Sequence, residues 1–110
     1  MSESPVPFSL EQRDQGDTVT LLVGGELDLA AAPELSARLK QLAHEGCRVI
    51  VDLRALEFID SSGLSVLIRA AADARRDGWD IGIIRGGSRD VQRAIALVGL
   101  DEVLPFLGPQ

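Results

Sequence analysis

The sequence predicts an α/β fold, in which a mixed sheet of four or five strands packs against about three or four helices. Short apolar segments rich in Val, Ile and Leu alternate along the chain with longer segments whose apolar residues recur at helical spacing. Glycine-containing turn segments separate the two kinds of segment. This alternation favours parallel strands that are joined by right-handed crossovers.

The first two strands are expected to form an antiparallel hairpin. Apolar and polar side chains alternate in residues 8–12, and residues 18–24 are rich in β-branched residues and Leu. The turn cluster Asp-Gln-Gly-Asp at residues 14–17 separates them. The pair Gly24-Gly25 is predicted to break the second strand.

The first helix is predicted over residues 32–45. Pro33 falls in the first turn, where its missing N–H costs little. An apolar stripe is formed at positions i, i+4 and i+7 by Leu35, Leu39 and Leu42. Gly46 is expected to end the helix.

A buried strand is predicted next, over residues 48–53, because its centre is almost continuously apolar. Residues 54–59 are interpreted as a connection with two apolar anchors, Phe58 and Ile59. A second helix is predicted over residues 62–76. Its apolar face comprises Leu64, Leu67, Ile68 and Ala71.

The last third of the chain repeats the alternation. A buried strand is predicted over residues 79–84 and a third helix over residues 89–98, with Ser88 as its N-cap. Gly99 is expected to end this helix, and residues 103–107 are predicted to form a final short strand. The apolar face of the third helix comprises Val91, Ala94, Ile95 and Val98.

Length and composition exclude several classes of function. The 110 residues suit one domain over residues 7–110, preceded by a loose tail over residues 1–6. A net charge of −6 argues against binding to nucleic acid or to an anionic lipid surface. The chain has one cysteine, Cys47, and one histidine, His44, which argues against a disulfide framework and against a metal site. No cofactor is expected. No apolar run predicts a membrane span and the acidic N-terminus is not a signal peptide, so a cytoplasmic location is expected.

The most informative segment is Asp60-Ser61-Ser62-Gly63-Leu64, between a buried strand and a helix. Asp60 or Ser61 is suited to be the helix N-cap, and the amides of Ser62, Gly63 and Leu64 are expected to point towards one spot. A phosphate on a serine here would gain from those amides and would be repelled by Asp60. The same pattern is also typical of an ordinary N-cap with no further role.

Three blocks of the chain together resemble the STAS domain family, specifically the bacterial anti-sigma factor antagonists. The first block is residues 60–64, which follow the strand over residues 49–53. The second is Gly25-Glu26-Leu27-Asp28, which follows the second strand and precedes a helix. The third is residues 88–100, which end in Val98-Gly99-Leu100. The resemblance covers residues 8–107 and implies a STAS-like fold.

The resemblance also implies a partner-switching function without enzymatic activity. The unphosphorylated chain would bind an anti-sigma factor that is a serine kinase, and a sigma factor would thereby be released. The kinase would then phosphorylate Ser61 and abolish binding, and a serine phosphatase would reverse this step.

By the same resemblance, Asp28 would lie near the phosphorylation site and help binding, and Asp60 would orient the serine hydroxyl. The partner-binding residues are therefore expected to be Asp28, Asp60, Ser61, Ser62, Gly63 and Leu64. Ser65 departs from the Gly of many relatives, which would alter how closely a partner approaches.

Three alternatives remain open from the residues alone. A serine hydrolase would need His44 as its base, and the Gly-x-Ser-x-Gly pattern is absent. A nucleotide site at Gly86-Gly87-Ser88 lacks the Walker pattern and a following Lys. The third alternative is a STAS interaction subunit of a larger stress-sensing or transport complex, in which Ser61 is never phosphorylated.

Overall fold

A computed structural model describes residues 6–108, which form one four-stranded sheet and three α-helices. Most of the predicted tail over residues 1–6 therefore lies outside the described residues. The strands are β1 (Ser9–Gln15), β2 (Thr18–Leu27), β3 (Arg48–Ile59) and β4 (Ile81–Ile84). The helices are α1 (Ala32–His44), α2 (Ser61–Asp77) and α3 (Arg89–Leu97), followed by a short 3-10 helix (Leu100–Glu102). The predicted α/β class, with a mixed sheet of four or five strands and about three or four helices, is confirmed, with four strands and three α-helices.

The sheet has the order β1-β2-β3-β4. The hairpin of β1 and β2 is antiparallel and closes with Gln15 opposite Thr18, whereas the pairs β2–β3 and β3–β4 are parallel. Both crossovers therefore step across the sheet in the same direction, and right-handed connections place α1 and α2 on the same face. A single apolar core lies between this face and the helices.

Two strands are longer than predicted. The prediction that Gly24-Gly25 breaks β2 was wrong, because the strand passes through both glycines as far as Leu27. The register of β2 against β3 shifts on either side of this pair, and Gly25 has a φ of +71°. A Cβ on Gly25 would lie 1.9 Å from the carbonyl oxygen of Pro7. The glycines thus accommodate a bulge and a close backbone approach without ending the strand.

The predicted connection over residues 54–59 was also wrong, since β3 continues through these residues to Ile59. Ile59 is buried as expected, but Phe58 is 43% exposed and does not anchor the core. Two other predicted core residues, Ile68 of α2 and Val98 after α3, are exposed. The remaining apolar positions of α1 and α2 are buried, and so are Val91 and Ile95 of α3.

The predicted strand over residues 103–107 is reduced to one parallel bridge between Phe106 and Ile83. The N–H of Ile83 donates to the carbonyl oxygen of Pro105, and the N–H of Leu107 donates to the carbonyl oxygen of Ile83. Arg85 pairs with Asp101 and lies over the Phe106 ring at 4.0 Å. These contacts hold the segment against the edge of β4, where Pro105 has no N–H with which to extend a ladder. The strand predicted over residues 79–84 begins only at Ile81.

Candidate functional site

The N-terminus of α2 is organised by the side chain of Asp60. Asp60 is the N-cap, with extended backbone angles of φ −110° and ψ −172°. Its Oδ1 accepts hydrogen bonds from the N–H groups of Ser62 at 2.9 Å and Gly63 at 3.1 Å. The N–H of Leu64 donates to the carbonyl oxygen of Asp60 at 3.0 Å, which is the first bond of the helix. The carboxylate thus binds two of the amides that a free helix N-terminus would present.

A second acidic residue orders the loop between β2 and α1. Oδ1 of Asp28 accepts from the N–H groups of Ala30 at 3.1 Å and Ala31 at 3.0 Å. Its carbonyl oxygen accepts from the N–H groups of Ala31 and Ala32. Asp28 therefore closes the turn that leads into α1, and its second carboxylate oxygen, Oδ2, forms none of these bonds.

Asp60 also joins the two loops. Its Oδ2 accepts from the N–H of Leu29 at 3.1 Å, and its own N–H donates to the carbonyl oxygen of Leu27 at 3.3 Å. The strands that precede the loops are parallel neighbours, paired as far as Leu27 opposite Ile59. Their carboxyl ends meet at one edge of the sheet, which is where α/β proteins commonly bind ligands and partners.

Gly63 allows α2 to approach this edge. A Cβ at this position would lie 2.7 Å from the carbonyl oxygen of Leu27 and 2.8 Å from Cγ1 of Ile59. Both distances are shorter than van der Waals contact, and the nearer atom belongs to the backbone. Glycine is therefore needed here for the packing of α2 on the ends of β2 and β3.

The six predicted site residues fall into two groups by exposure. Ser61, the first residue of α2, is exposed, and Asp28, Asp60 and Ser62 are half-buried. Gly63 and Leu64 are buried and pack into the core. The structure thus brings the six residues to one edge of the sheet, but a partner has access mainly to Ser61 and to parts of its polar neighbours.

Sequence reasoning missed one residue of this surface. Leu29 is 74% exposed although its backbone N–H is held by Asp60. The only signal for it in the sequence is an apolar residue directly after Asp28, in a loop that no core periodicity includes. An exposed apolar side chain on an ordered loop is a typical contact residue of an interface.

The expectation that the amides of Ser62, Gly63 and Leu64 would stabilise a phosphate on Ser61 was wrong. The amides of Ser62 and Gly63 are already bound by Asp60, and the amide of Leu64 is bound within the helix. A phosphate on Ser61 would therefore not find these donors free. Its added charge would lie on the surface beside the Asp60 carboxylate.

The geometry does not support the hydrolase alternative. His44 is the last residue of α1, while the Asp28 and Asp60 loops adjoin its first residue, Ala32. A helix rises about 1.5 Å per residue, so His44 lies roughly 18 Å along the helix from that end. A general base must lie within hydrogen-bond reach of the group from which it takes a proton.

The loop over residues 86–88 makes close contacts with β3 and with the start of α3. Ser88 Oγ donates to the carbonyl oxygen of Glu57 at 2.7 Å and accepts from the N–H of Val91 at 3.2 Å. A Cβ on Gly87 would lie 2.9 Å from the carbonyl oxygen of Leu56. The loop therefore functions as a turn and an N-cap, which leaves the nucleotide alternative without structural support.

Within residues 6–108, the structure offers neither a cluster of metal ligands nor a helix that could span a membrane. Nowhere in this range do three or more His, Cys, Asp or Glu side chains come together in a way that would hold a metal ion. None of the helices in the same range is both long enough and apolar enough to cross a membrane.

Comparison with known sequences identifies similar proteins over almost the whole chain. Residues 10–107 match a family model described as "Mlab, STAS domain". The anti-sigma-F factor antagonist RsfB of Mycobacterium tuberculosis is 31% identical over 102 residues. The matched region spans 90% of this chain and 80% of that relative.

Solved structures share the fold. An anti-sigma factor antagonist from Mycobacterium paratuberculosis superposes with a TM-score of 0.81 at 24% identity, over 98% of this chain and 92% of that chain. The Bacillus cell fate determinant SpoIIAA in its phosphorylated form gives a TM-score of 0.68 at 21% identity, over 94% of this chain and 92% of that chain. The unphosphorylated form of SpoIIAA gives 0.67 at 20% identity, over 94% and 90%. The predicted STAS-like fold class is confirmed by these likenesses.

Proposed function

The chain belongs to the STAS domain family, and from this premise we propose that it is an anti-sigma factor antagonist. In its unphosphorylated state it binds an anti-sigma factor that is also a serine kinase, and this binding frees a sigma factor. Phosphorylation of Ser61 by the kinase ends the interaction, and a serine phosphatase restores it. In this role the chain is a substrate rather than an enzyme, and it works in the cytoplasm with the transcription machinery.

The observation that carries the proposal is the position of Ser61. Ser61 is an exposed residue at the first position of α2, at the sheet edge where Asp60 accepts a hydrogen bond from the backbone N–H of Leu29 in the neighbouring loop. A kinase therefore has access to the hydroxyl without any part of the core having to open. The name of the relative RsfB and the existence of SpoIIAA in a phosphorylated form support the same assignment.

The local charges explain how phosphorylation would act. A phosphate adds nearly two negative charges at neutral pH. Asp60 lies next to Ser61 in the chain, and Asp28 lies on the adjoining loop. Because Asp60 already binds the amides of Ser62 and Gly63, the phosphate would not find these two helix donors free. The modified surface is then strongly negative where the partner must pack, and like charges brought together at an interface cost several kcal/mol.

The decisive experiment is to map the phosphate after incubation with the cognate anti-sigma factor kinase and ATP. We expect phosphopeptide mass spectrometry to place it on Ser61, and we expect Ser61→Ala to bind the kinase without being phosphorylated. Ser61→Asp should bind more weakly through its added charge. Ser62→Ala is the matched control and should still be phosphorylated. Phosphate on Ser62 or Ser88 alone, or no phosphate, would contradict the assignment.

Asp28 needs a test that separates binding from folding, because its Oδ1 orders the loop before α1. Asp28→Asn keeps an oxygen acceptor for these amides and removes the charge. We expect it to weaken kinase binding by about 3- to 10-fold, the scale of one interfacial charge, with little change in Tm. Asp28→Ala should lower both binding and Tm. Wild-type affinity in Asp28→Asn would remove this carboxylate from the interface.

A second candidate is a STAS interaction subunit of a larger stress-sensing or transport complex, in which Ser61 is not phosphorylated. The description "Mlab" of the matching family model favours considering it, and Asp60 binds the amides of Ser62 and Gly63 at the start of α2 without a phosphate. In that case Ser61→Ala and Ser61→Asp would bind the partner equally well, and no kinase would label the chain.

A further inference from the structure

A groove runs between α1 and α2, away from Ser61. Its floor is apolar and consists of Leu39 on α1, Val66 and Ala70 on α2, and Trp79 after α2. At this floor the groove holds a partly open cavity of about 120 Å³. Leu39 and Ala70 belong to the core, whereas Val66 and Trp79 are half-buried and present part of their surface to the groove. We call this feature the α1–α2 groove.

The rim of the α1–α2 groove is positively charged. Lys40 of α1 and Arg69 of α2 both line it, and within residues 6–108 neither forms an ion pair. The one carboxylate on the rim, Asp73, is bound by Arg76 at 3.0 Å. Two cations thus flank an apolar floor on a chain whose net charge is −6. Over distances shorter than a Debye length of about 8 Å, local charges such as these decide which ligand is attracted.

We propose that the α1–α2 groove binds an acidic segment of a partner protein, with one apolar side chain in the cavity and carboxylates on Lys40 and Arg69. The proposal goes beyond the function of Ser61 and does not require its phosphorylation. Charge complementarity selects the acidic segment, because carboxylates are the protein groups that pair with two free cations.

The size and shape of the groove favour a peptide segment over a small ligand. Pockets for small molecules usually have volumes of about 300–1,000 Å³, whereas an engineered cavity of about 150 Å³ holds one benzene. A cavity of 120 Å³ therefore suits one side chain. Ser36, Val66 and Arg69 also line an adjoining open depression of about 350 Å³, which extends to Leu29 and Ser62. A chain that places one side chain in the cavity can continue along this depression.

The chain carries its own reporter for the test, since Trp79 is its single tryptophan and it has no tyrosine. The probe is an acetylated and amidated peptide of sequence Glu-Glu-Leu-Glu-Glu, titrated into the full chain. We expect a saturable change in Trp79 fluorescence and amide NMR shifts centred on Val66, Arg69 and Ala70. The uncharged peptide Gln-Gln-Leu-Gln-Gln is the matched control and should bind at least about threefold more weakly, since an exposed ion pair contributes up to about 1 kcal/mol.

Variants at the rim assign the effect to the groove. Lys40→Gln and Arg69→Gln should each weaken binding of the acidic peptide by about 2- to 5-fold, as expected for the loss of one exposed ion pair. Arg93→Gln removes an exposed cation from α3 and should leave binding unchanged. Circular dichroism checks that all variants are folded.

Several results would overturn the proposal: equal binding of the two peptides, NMR shifts centred away from the groove, no response at millimolar peptide, or wild-type affinity in the Lys40→Gln/Arg69→Gln double variant. Ser61→Ala, which cannot be phosphorylated and adds no charge, should bind the peptide as the wild type does. The test therefore fails or succeeds independently of the switch at Ser61.

Discussion

At the scale of single residues, Asp52 is a charged side chain placed in the middle of the sheet. It lies in β3 between Leu22 of β2 and Ile84 of β4, and only 4% of the residue is exposed. Its carboxylate accepts from Arg54, through the backbone N–H at 3.0 Å and through Nη2 at 2.8 Å. The hydrogen bonds of the Arg54 side chain hold the pKa of Asp52 below its ordinary value, although burial acts in the opposite direction. A buried carboxylate is thus kept ionised by a partner two residues along its own strand.

This arrangement predicts a pH-dependent contribution to stability. Because the pKa of Asp52 is lowered on folding, the pair stabilises the fold at neutral pH, and this stabilisation is lost as the pH falls below about 4 and through the folded-state pKa. Asp52→Asn should therefore lower the free energy of unfolding by about 1 kcal/mol at pH 7, a value reduced because Arg54 is largely solvated. As the pH falls below about 4, the difference between variant and wild type should shrink.

Urea denaturation of both proteins at several pH values measures this effect. Asp77→Asn is the control, because Asp77 has the same kind of lowered pKa beside Arg76 but is exposed. It should change the urea midpoint little at any pH. A difference between Asp52→Asn and wild type that stays constant from pH 7 to pH 3 would contradict the assigned role of the charge.

Of the contacts of Asp60, the local ones could be predicted from the sequence and the long-range one could not. Its role as N-cap could be predicted, because the cap and the amides that it binds are neighbours in the chain. Its hydrogen bond from Leu29 spans 31 residues and depends on the parallel register of β2 and β3. No local pattern contains that register, so the exposed Leu29 was missed as part of the site.

At the scale of elements, the packing of α2 on the strand ends rests on Gly63. A Cβ there would lie 2.7 Å from the backbone oxygen of Leu27, which cannot rotate away as a flexible side chain would. Gly63→Ala should therefore lower the free energy of unfolding by about 1–3 kcal/mol, the usual cost of overpacking, although alanine is the better helix former. Ser65→Ala, on an exposed position of the same helix, is the control and should be neutral or slightly stabilising.

The Gly63→Ala variant also tests whether the packing of α2 on the strand ends affects the loop around Leu29. Urea denaturation followed by circular dichroism gives the change in stability, and amide NMR shifts should spread from α2 to the loop around Leu29. A Gly63→Ala protein as stable as Ser65→Ala would mean that α2 can move away from β2 without cost.

The extents of the strands were the least predictable feature of the elements. Strand β3 runs on through Arg54, Ala55 and Glu57, whose polar or small side chains end the apolar run that predicts a buried strand. These residues stay in the sheet because β2 continues beside them, paired with Ala55, Leu56 and Phe58. Tertiary pairing here overrides local composition. Helix ends were better predicted, since caps and glycines are local signals.

At the scale of the whole molecule, the helices cover one face of the sheet and the other remains partly open. Val19 and Leu21 of β2 and Val49 and Val51 of β3 are buried in the core beneath the helices. Four residues that alternate with them on the opposite face stay partly exposed, whereas Asp52 on that face is buried; the four are Thr18, Thr20, Leu22 and Ile50. One core therefore holds all the elements together. The two proposed binding surfaces, the strand ends around Ser61 and the groove between α1 and α2, adjoin at the depression that reaches Leu29 and Ser62.

One continuous core predicts cooperative unfolding as a single domain over residues 7–110. Side chains from β2, α1, β3, α2, β4 and α3 belong to the same cluster, which extends to Leu104 and against which Trp79 packs. Small domains with one core unfold in an all-or-none transition.

Trp79 fluorescence reports on the α1–α2 side of the molecule and far-UV circular dichroism on the whole backbone. The two signals should therefore give the same urea midpoint and the same slope, and Asp52→Asn should shift both midpoints equally. If fluorescence changed at a lower urea concentration than circular dichroism, the α1–α2 side would unfold separately and the chain would not be one cooperative domain.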